Sequence, residues 1–184
     1  MGGAGRAERL VGAFALSRRT VHFPLHPGVG REGKRLQDVV PGIVDVERAH
    51  ARLAGIAAAE GLPFTPPPRV WDSRLAQELA SWAAGRGVPL DAALFRAVWV
   101  EGRNVGDEDV LVAIAQEAGL EAEAARAVLT GRTAREAVDA DWAFARKVGV
   151  TGVPTYAIGG RGVVGAQPYE VLEGLAETSG VPRR

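Results

Sequence analysis

The sequence contains no cysteine. That excludes structural disulfides and Cys-ligated metal sites. The chain also cannot exchange disulfides by itself, because no other side chain performs that sulfur chemistry. A net charge of either sign is missing too: 22 Lys+Arg balance 22 Asp+Glu, and nothing in the composition suggests a basic face for nucleic acid. No apolar run approaches the roughly 20 residues that span a bilayer. A signal peptide with Leu10 to Leu16 as its apolar region and Ala13-Phe14-Ala15 as its cleavage site is disfavoured, since the run is short and Glu8 is misplaced in a basic leader. The sequence has no internal repeat and no HExxH, EF-hand, Walker or G-x-S-x-G motif. No cofactor, metal, nucleic acid or membrane is therefore expected, and the chain is expected to be cytoplasmic.

What is present is a chain of 184 residues, enough for one substantial core or one domain with a large insertion. Its most informative stretch lies near the C-terminus. Asp141 to Lys147 reads as the end of a helix, with Arg146 and Lys147 suiting the negative end of its dipole. Gly149 stands where a left-handed cap is wanted. Thr151-Gly152 is a turn, Val153-Pro154 follows, and Thr155-Tyr156-Ala157-Ile158 reads as a strand. Gly159-Gly160 makes a hairpin turn, and Val163-Val164 returns as the second strand. The match of Gly160 to Gly165 to G-x-G-x-x-G falls in that hairpin rather than at a helix start, so it is not a dinucleotide fingerprint.

Helix, X-Pro at the head of a strand, hairpin and final helix resemble the second half of the thioredoxin fold. The phrase Gly149-Val150-Thr151-Gly152-Val153-Pro154 is similar to that of the DsbA family, and Gly165-Ala166-Gln167-Pro168 to its FrnE-like branch, related to the 2-hydroxychromene-2-carboxylate isomerases. Phe95 to Asn104, Gly106-Asp107 and Asp72 to Ala76 extend the resemblance over about residues 20 to 177. It implies an α/β fold: a thioredoxin-like sheet with a large all-helical insertion. It implies a cis Val153–Pro154 bond and thiol–disulfide oxidoreductase activity.

The resemblance divides the chain into an N-terminal part of the thioredoxin-like domain (1–30), a helical insertion (31–130) and the remainder of that domain (131–184). In the first part, a helix from about Arg6 precedes Thr20-Val21-His22-Phe23, which reads as the second core strand. No strand precedes the helix. The first core strand and its Cys-X-X-Cys turn are missing, which leaves a vacant slot between Thr20–Phe23 and Thr155–Ile158. Either the true start lies upstream of Met1 or the chain closes the gap another way; the first is preferred. A vacant slot predicts rapid amide exchange over about residues 1 to 27 and self-association through the open edge.

In the insertion, Val39, Ile43, Val46, Ala49, Leu53 and Ile56 keep helical spacing up to Gly61. Thr65 to Pro68 is a polyproline-like connector. Asp72 or Ser73 caps a helix bearing Leu75, Leu79 and Trp82, Asp107 caps another, and Thr133-Ala134-Arg135-Glu136 is a capping box opening the long helix. His22 and His26 share a face only in a helix, so they are not read as a metal pair. The acidic residues read mainly as caps and solvated faces.

The site expected from the resemblance is substrate-binding, with no catalytic residue because Cys-X-X-Cys is absent. Val153 and Pro154 form its wall, Thr151 and Gly152 shape the loop and Gln167 adds a polar edge; Trp71, beside the Asp72 cap and the proline connector, is read from its position as a candidate aromatic wall. The partner is a peptide or small thiol. The chain reads as a redox-inactive or truncated FrnE-like protein. The alternatives are a glutathione-dependent isomerase or transferase of the hydroxychromene type, for which no serine stands at the first helix's start, and a non-catalytic peptide-binding module.

Overall fold

The computed structural model describes residues 2–40, 45–59 and 61–184. In chain order the elements are α1 (Gly2–Ala13), α2 (Leu36–Val39), α3 (Val46–Ala59), α4 (Arg74–Ala84), α5 (Asp91–Trp99), α6 (Glu108–Glu117), α7 (Ala122–Gly131), α8 (Arg135–Lys147), β1 (Thr155–Ile158), β2 (Arg161–Val164) and α9 (Tyr169–Thr178). They form two compact units, residues 26–141 and residues 1–25 with 142–184, with the division falling inside α8.

The helical unit is organised by α4, α6 and α7. Asp72 opens α4: its Oδ1 accepts the Arg74 amide at 2.9 Å, while Ser73, at the cap position, makes no side-chain cap bond. Asp107 opens α6 by accepting the amides of Asp109 (2.9 Å) and Val110 (3.3 Å). Leu79, Leu90, Leu111, Ile114 and Leu129 are fully buried together. The helix α8 opens at Arg135, two residues beyond the Thr133 cap expected from sequence, where the Arg135 amide donates to the Arg132 carbonyl at 3.0 Å.

In the early part of the insertion the helical spacing is realised in two helices, with Val39 ending α2 and the later residues in α3. Ile43 lies outside the described residues. Val46, Ala49, Leu53 and Ile56 do share the helix α3, yet no residue of α3 is buried, and Leu53 and Ile56 are exposed. Helical spacing creates an apolar stripe, but the core of this unit closes on α4 to α7 instead.

Ahead of α4, Lys34 and Val70 exchange backbone hydrogen bonds of 3.0 and 2.8 Å. Gly33 makes this close approach possible. Its φ is +66°, and a Cβ there would stand 2.5 Å from Trp71 Cε3 and 2.8 Å from the Val70 carbonyl oxygen. Gly33→Ala is expected to destabilise by about 2–4 kcal/mol, combining left-handed backbone cost with overpacking. Gly30→Ala, with φ +83° but open space around it, should show only the backbone part, about 1–2 kcal/mol. Urea midpoints of the two variants check this.

In the other unit, α1 packs on α9. Leu10, Phe14, Tyr169, Leu172 and Ala176 are buried, with Tyr156, Ile158 and Val163 of the hairpin against them. The C-terminal tail fastens α1: the Ala15 amide donates to the Pro182 carbonyl (2.9 Å) and the Arg184 amide to the Ala13 carbonyl (3.0 Å). The stretch expected to exchange rapidly is therefore not uniform, since its first half is tied into a core. Residues 20–23 form no strand; among the described residues the sheet has two strands, β1 and β2. The β-branched and aromatic residues there favour extended backbone, but a strand exists only with a ladder partner.

Candidate functional site

The helix α8 delivers the chain to the site. Its end is a left-handed glycine cap: Gly149 has φ +76°. The Gly149 amide donates to the Arg146 carbonyl (3.1 Å) and the Val150 amide to the Ala145 carbonyl (2.9 Å). The loop then tightens, with the Thr155 hydroxyl donating to the Gly152 carbonyl at 2.6 Å. The Val153–Pro154 peptide bond is cis.

Behind this loop stands the turn after β2. The Gly165 amide donates to the Pro154 carbonyl at 2.7 Å. Gln167 Nε2 donates to the Val164 carbonyl (2.6 Å), and Arg6 of α1 donates to the Gln167 carbonyl (2.7 Å). Gln167 thus closes its own turn through Nε2. Arg6 was not singled out from sequence. Its role comes from a contact across 161 positions of chain, which no local pattern reveals.

The hairpin register decides which backbone groups are open. Gly159 and Gly160 have φ of 58° and 79°, the conformation of a two-residue type I′ turn. With Ile158 opposite Arg161 and Tyr156 opposite Val163, the bonded pairs are Ile158–Arg161, Tyr156–Val163 and, through the Gly165 amide, Pro154–Gly165. Thr155 and Ala157 therefore turn their N–H and C=O groups to the outer edge of β1. Among the described residues the Val153 amide and carbonyl also have no hydrogen-bond partner. The result is an open backbone edge from Val153 through Ala157. Period-two alternation inward from the Gly159-Gly160 turn was the sequence signal for Thr155 and Ala157.

Apolar side chains flank this edge. Val153 is 47% exposed and Val164 50%, and Val164 Cγ1 lies 3.6 Å from where a Cβ on Gly152 would be. Thr151 and Pro154 are exposed as well. Tyr156 points to the α1–α9 core; burial pushes its phenol up, with the charge of Arg6 opposing.

Five of the expected site residues, Thr151, Gly152, Val153, Pro154 and Gln167, thus belong to one turn-and-hairpin assembly. Trp71 belongs to the helical unit, where its ring packs on the core and covers Gly33. Its Nε1 is buried without a partner. Among the described residues no group of three or more His, Asp or Glu is placed to hold a metal ion, and no helix is long and apolar enough to cross a membrane.

The chain resembles known proteins along most of its length. A family profile described as the DSBA-like thioredoxin domain matches residues 6–176. A probable DsbA oxidoreductase from Streptomyces coelicolor superimposes with a TM-score of 0.82 at 31% identity, over 97% of this chain and 84% of that one. A 2-hydroxychromene-2-carboxylate isomerase gives 0.72 at 22% identity over 97% and 87% of the two chains, which is a likeness of fold. An uncharacterized Bacillus subtilis (strain 168) protein, YwbO, is 30% identical over 89 residues, 48% of this chain and 44% of that protein. The match thus spans less than half the length of that relative.

Proposed function

The chain belongs to the DSBA-like thioredoxin domain family, and on that premise we propose that its Val153–Ala157 edge holds an extended thiol-bearing peptide or a small thiol. The fold is of the DsbA-like thioredoxin type, mostly helical with a two-stranded sheet. The single observation that carries the reading is the open backbone: unpartnered groups of Val153 continue into the outward N–H and C=O groups of Thr155 and Ala157. An extended segment pairs with such an edge through main-chain hydrogen bonds, and side-chain pockets add selectivity. Val153 and Pro154 line the edge, Thr151 and Gly152 set the loop, and Gln167 braces it from behind.

In this reading the residues of the chain bind and orient substrate, and none of them is a sulfur nucleophile. The chain by itself is therefore a binding module of a disulfide-oxidoreductase family. Purified chain should reduce insulin no faster than the uncatalysed rate. Addition of a reduced thiol-bearing peptide should protect the Val153, Thr155 and Ala157 amides from exchange. Methylating alternate peptide nitrogens should abolish binding in one register only. Calorimetry with glutathione separates a small-thiol site from a peptide site. Insulin turnover above background, or peptide binding that leaves those three amides untouched, would overturn the proposal.

A further inference from the structure

The zero net charge of the chain conceals a division. Residues 1–25 and 142–184 hold nine basic and four acidic residues, a formal +5. Residues 26–141 hold thirteen basic and eighteen acidic, a formal −5; together these make up the 22 of each sign. The hairpin unit is therefore cationic, and its few acids are mostly engaged elsewhere. Glu173 and Glu177 of α9 both pair with Arg183, at 2.8 and 2.6 Å.

The stretch that builds the candidate site has no acid at all. Between Asp141 and Glu170 the sequence contains Arg146, Lys147 and Arg161 and no carboxylate. Among the described residues these three cations make no ion pair, whereas arginines of the helical unit such as Arg74, Arg126 and Arg132 have carboxylate partners within 3 Å. Arg6 brings a further charge to the Gln167 turn. Exposed apolar groups accompany the cations: Phe144 in the last turn of α8 and Val148 just beyond its end, together with Val153 and Val164. Arg19 lies 5.6 Å from the Phe144 ring centroid.

Resting on the open edge proposed above, we infer that its ligand is an extended segment with apolar residues at its centre and acidic residues on its flanks. The apolar centre meets Val153 and Val164, and the strand backbone meets Val153 to Ala157. Lys147 lies six residues before Val153, at most about 22 Å of extended chain. A bound strand of seven or eight residues spans about 25 Å, so its flanking carboxylates come within reach of α8's last turn. Complementary charge of this kind raises association rate and selects partners. A second copy of the chain is the poorer occupant, because edge-to-edge pairing would bring two +5 units together. Nucleic acid fits less well, because phosphates only accept hydrogen bonds and leave the outward carbonyls of the edge without donors.

Three fluorescent peptides test this, sharing one apolar core and carrying glutamate, glutamine or lysine flanks. At low salt the glutamate peptide should bind about tenfold tighter than the lysine peptide, as three exposed charge pairs allow. The ratio should shrink at high salt. The double variant Arg146→Gln/Lys147→Gln should lose most of that ratio while keeping its affinity for the glutamine peptide. Equal affinities for all three peptides would sink the charge inference and leave the edge reading standing. Failure of every peptide to bind would sink the edge reading itself. A single-stranded oligonucleotide that displaces the glutamate peptide more effectively than unlabelled peptide, or a concentration-dependent dimer that excludes it, would also overturn the inference.

Discussion

Truncation of Glu78 to alanine is expected to destabilise the helical unit by about 3–5 kcal/mol, because it strips the anion from a buried ion cluster and leaves its cations behind. Glu78 has no exposed surface. Arg132 grips it with two bonds, Nε to Oε2 at 2.7 Å and Nη2 to Oε1 at 2.6 Å, and Arg74 Nε adds a third at 2.6 Å. Arg74 also reaches Asp139 at 2.8 Å and the Arg135 carbonyl at 3.0 Å, so the cluster joins α4, the end of α7 and the start of α8. Arg132 takes its place at a φ of 51°, unusual for a residue with a side chain. Replacing the whole cluster is a different matter. Glu78→Leu combined with Arg132→Met should recover much of the loss, since a matched apolar set avoids the desolvation that the ions incur. A double-mutant cycle by urea denaturation measures both.

The same cluster gives an acid dependence of definite sign. Burial alone would raise the Glu78 carboxyl, but hydrogen bonds from Arg132 and Arg74 outweigh it and hold the group below its ordinary value of 4.5. A carboxyl depressed in the folded state stabilises fully above its unfolded pKa and loses that contribution as pH falls through the folded value. The stability gap between the natural chain and Glu78→Gln should thus be constant near neutrality. It should narrow as pH drops below about 4.5. A gap that widens toward acid would contradict the assignment.

Glu78 also shows where the sequence was and was not legible. Leu75, Leu79 and Trp82 declared the buried stripe of α4, and Glu78 falls within that stripe, three residues after Leu75. Read singly it looked like one more solvated acid, because its partner Arg132 lies 54 positions away. Asp72, Asp107, Gly149 and the Gly159-Gly160 turn act through neighbours a few residues off, so their roles were visible in the chain itself. Thr20 to Phe23 had the composition of a strand, yet among the described residues no ladder forms there. The α3 stripe had the spacing of a buried face, and spacing does not say which neighbour arrives. At the candidate site, the family phrase pointed to Val153 and Pro154. The charge division was hidden because +5 and −5 cancel in the total.

The hairpin unit should be the more fragile of the two, and Phe14→Ala should show it. Phe14 has no exposed surface and sits among Leu10, Tyr169, Leu172 and Ala176. Its carbonyl accepts from Arg184 Nε at 2.9 Å, and the Arg183 guanidinium lies 4.8 Å from its ring centroid. Removing the ring leaves a cavity at the joint of α1, α9 and the C-terminal tail, with an expected cost of about 3–5 kcal/mol. Few other large buried side chains share this core, so little remains to offset the loss. In hydrogen exchange, amides of β1, β2 and α9 should lose protection while those of α4, α6 and α7 keep theirs. Peptide binding at the Val153–Ala157 edge should disappear in parallel, since the hairpin rests Tyr156, Ile158 and Val163 on this core. Leu53→Ala, at an exposed position of α3, is the control and should change stability by less than about 0.5 kcal/mol. Equal acceleration in α6 and β1 would show that the chain unfolds as one cooperative body, and the separate fragility argued from the small core would be wrong.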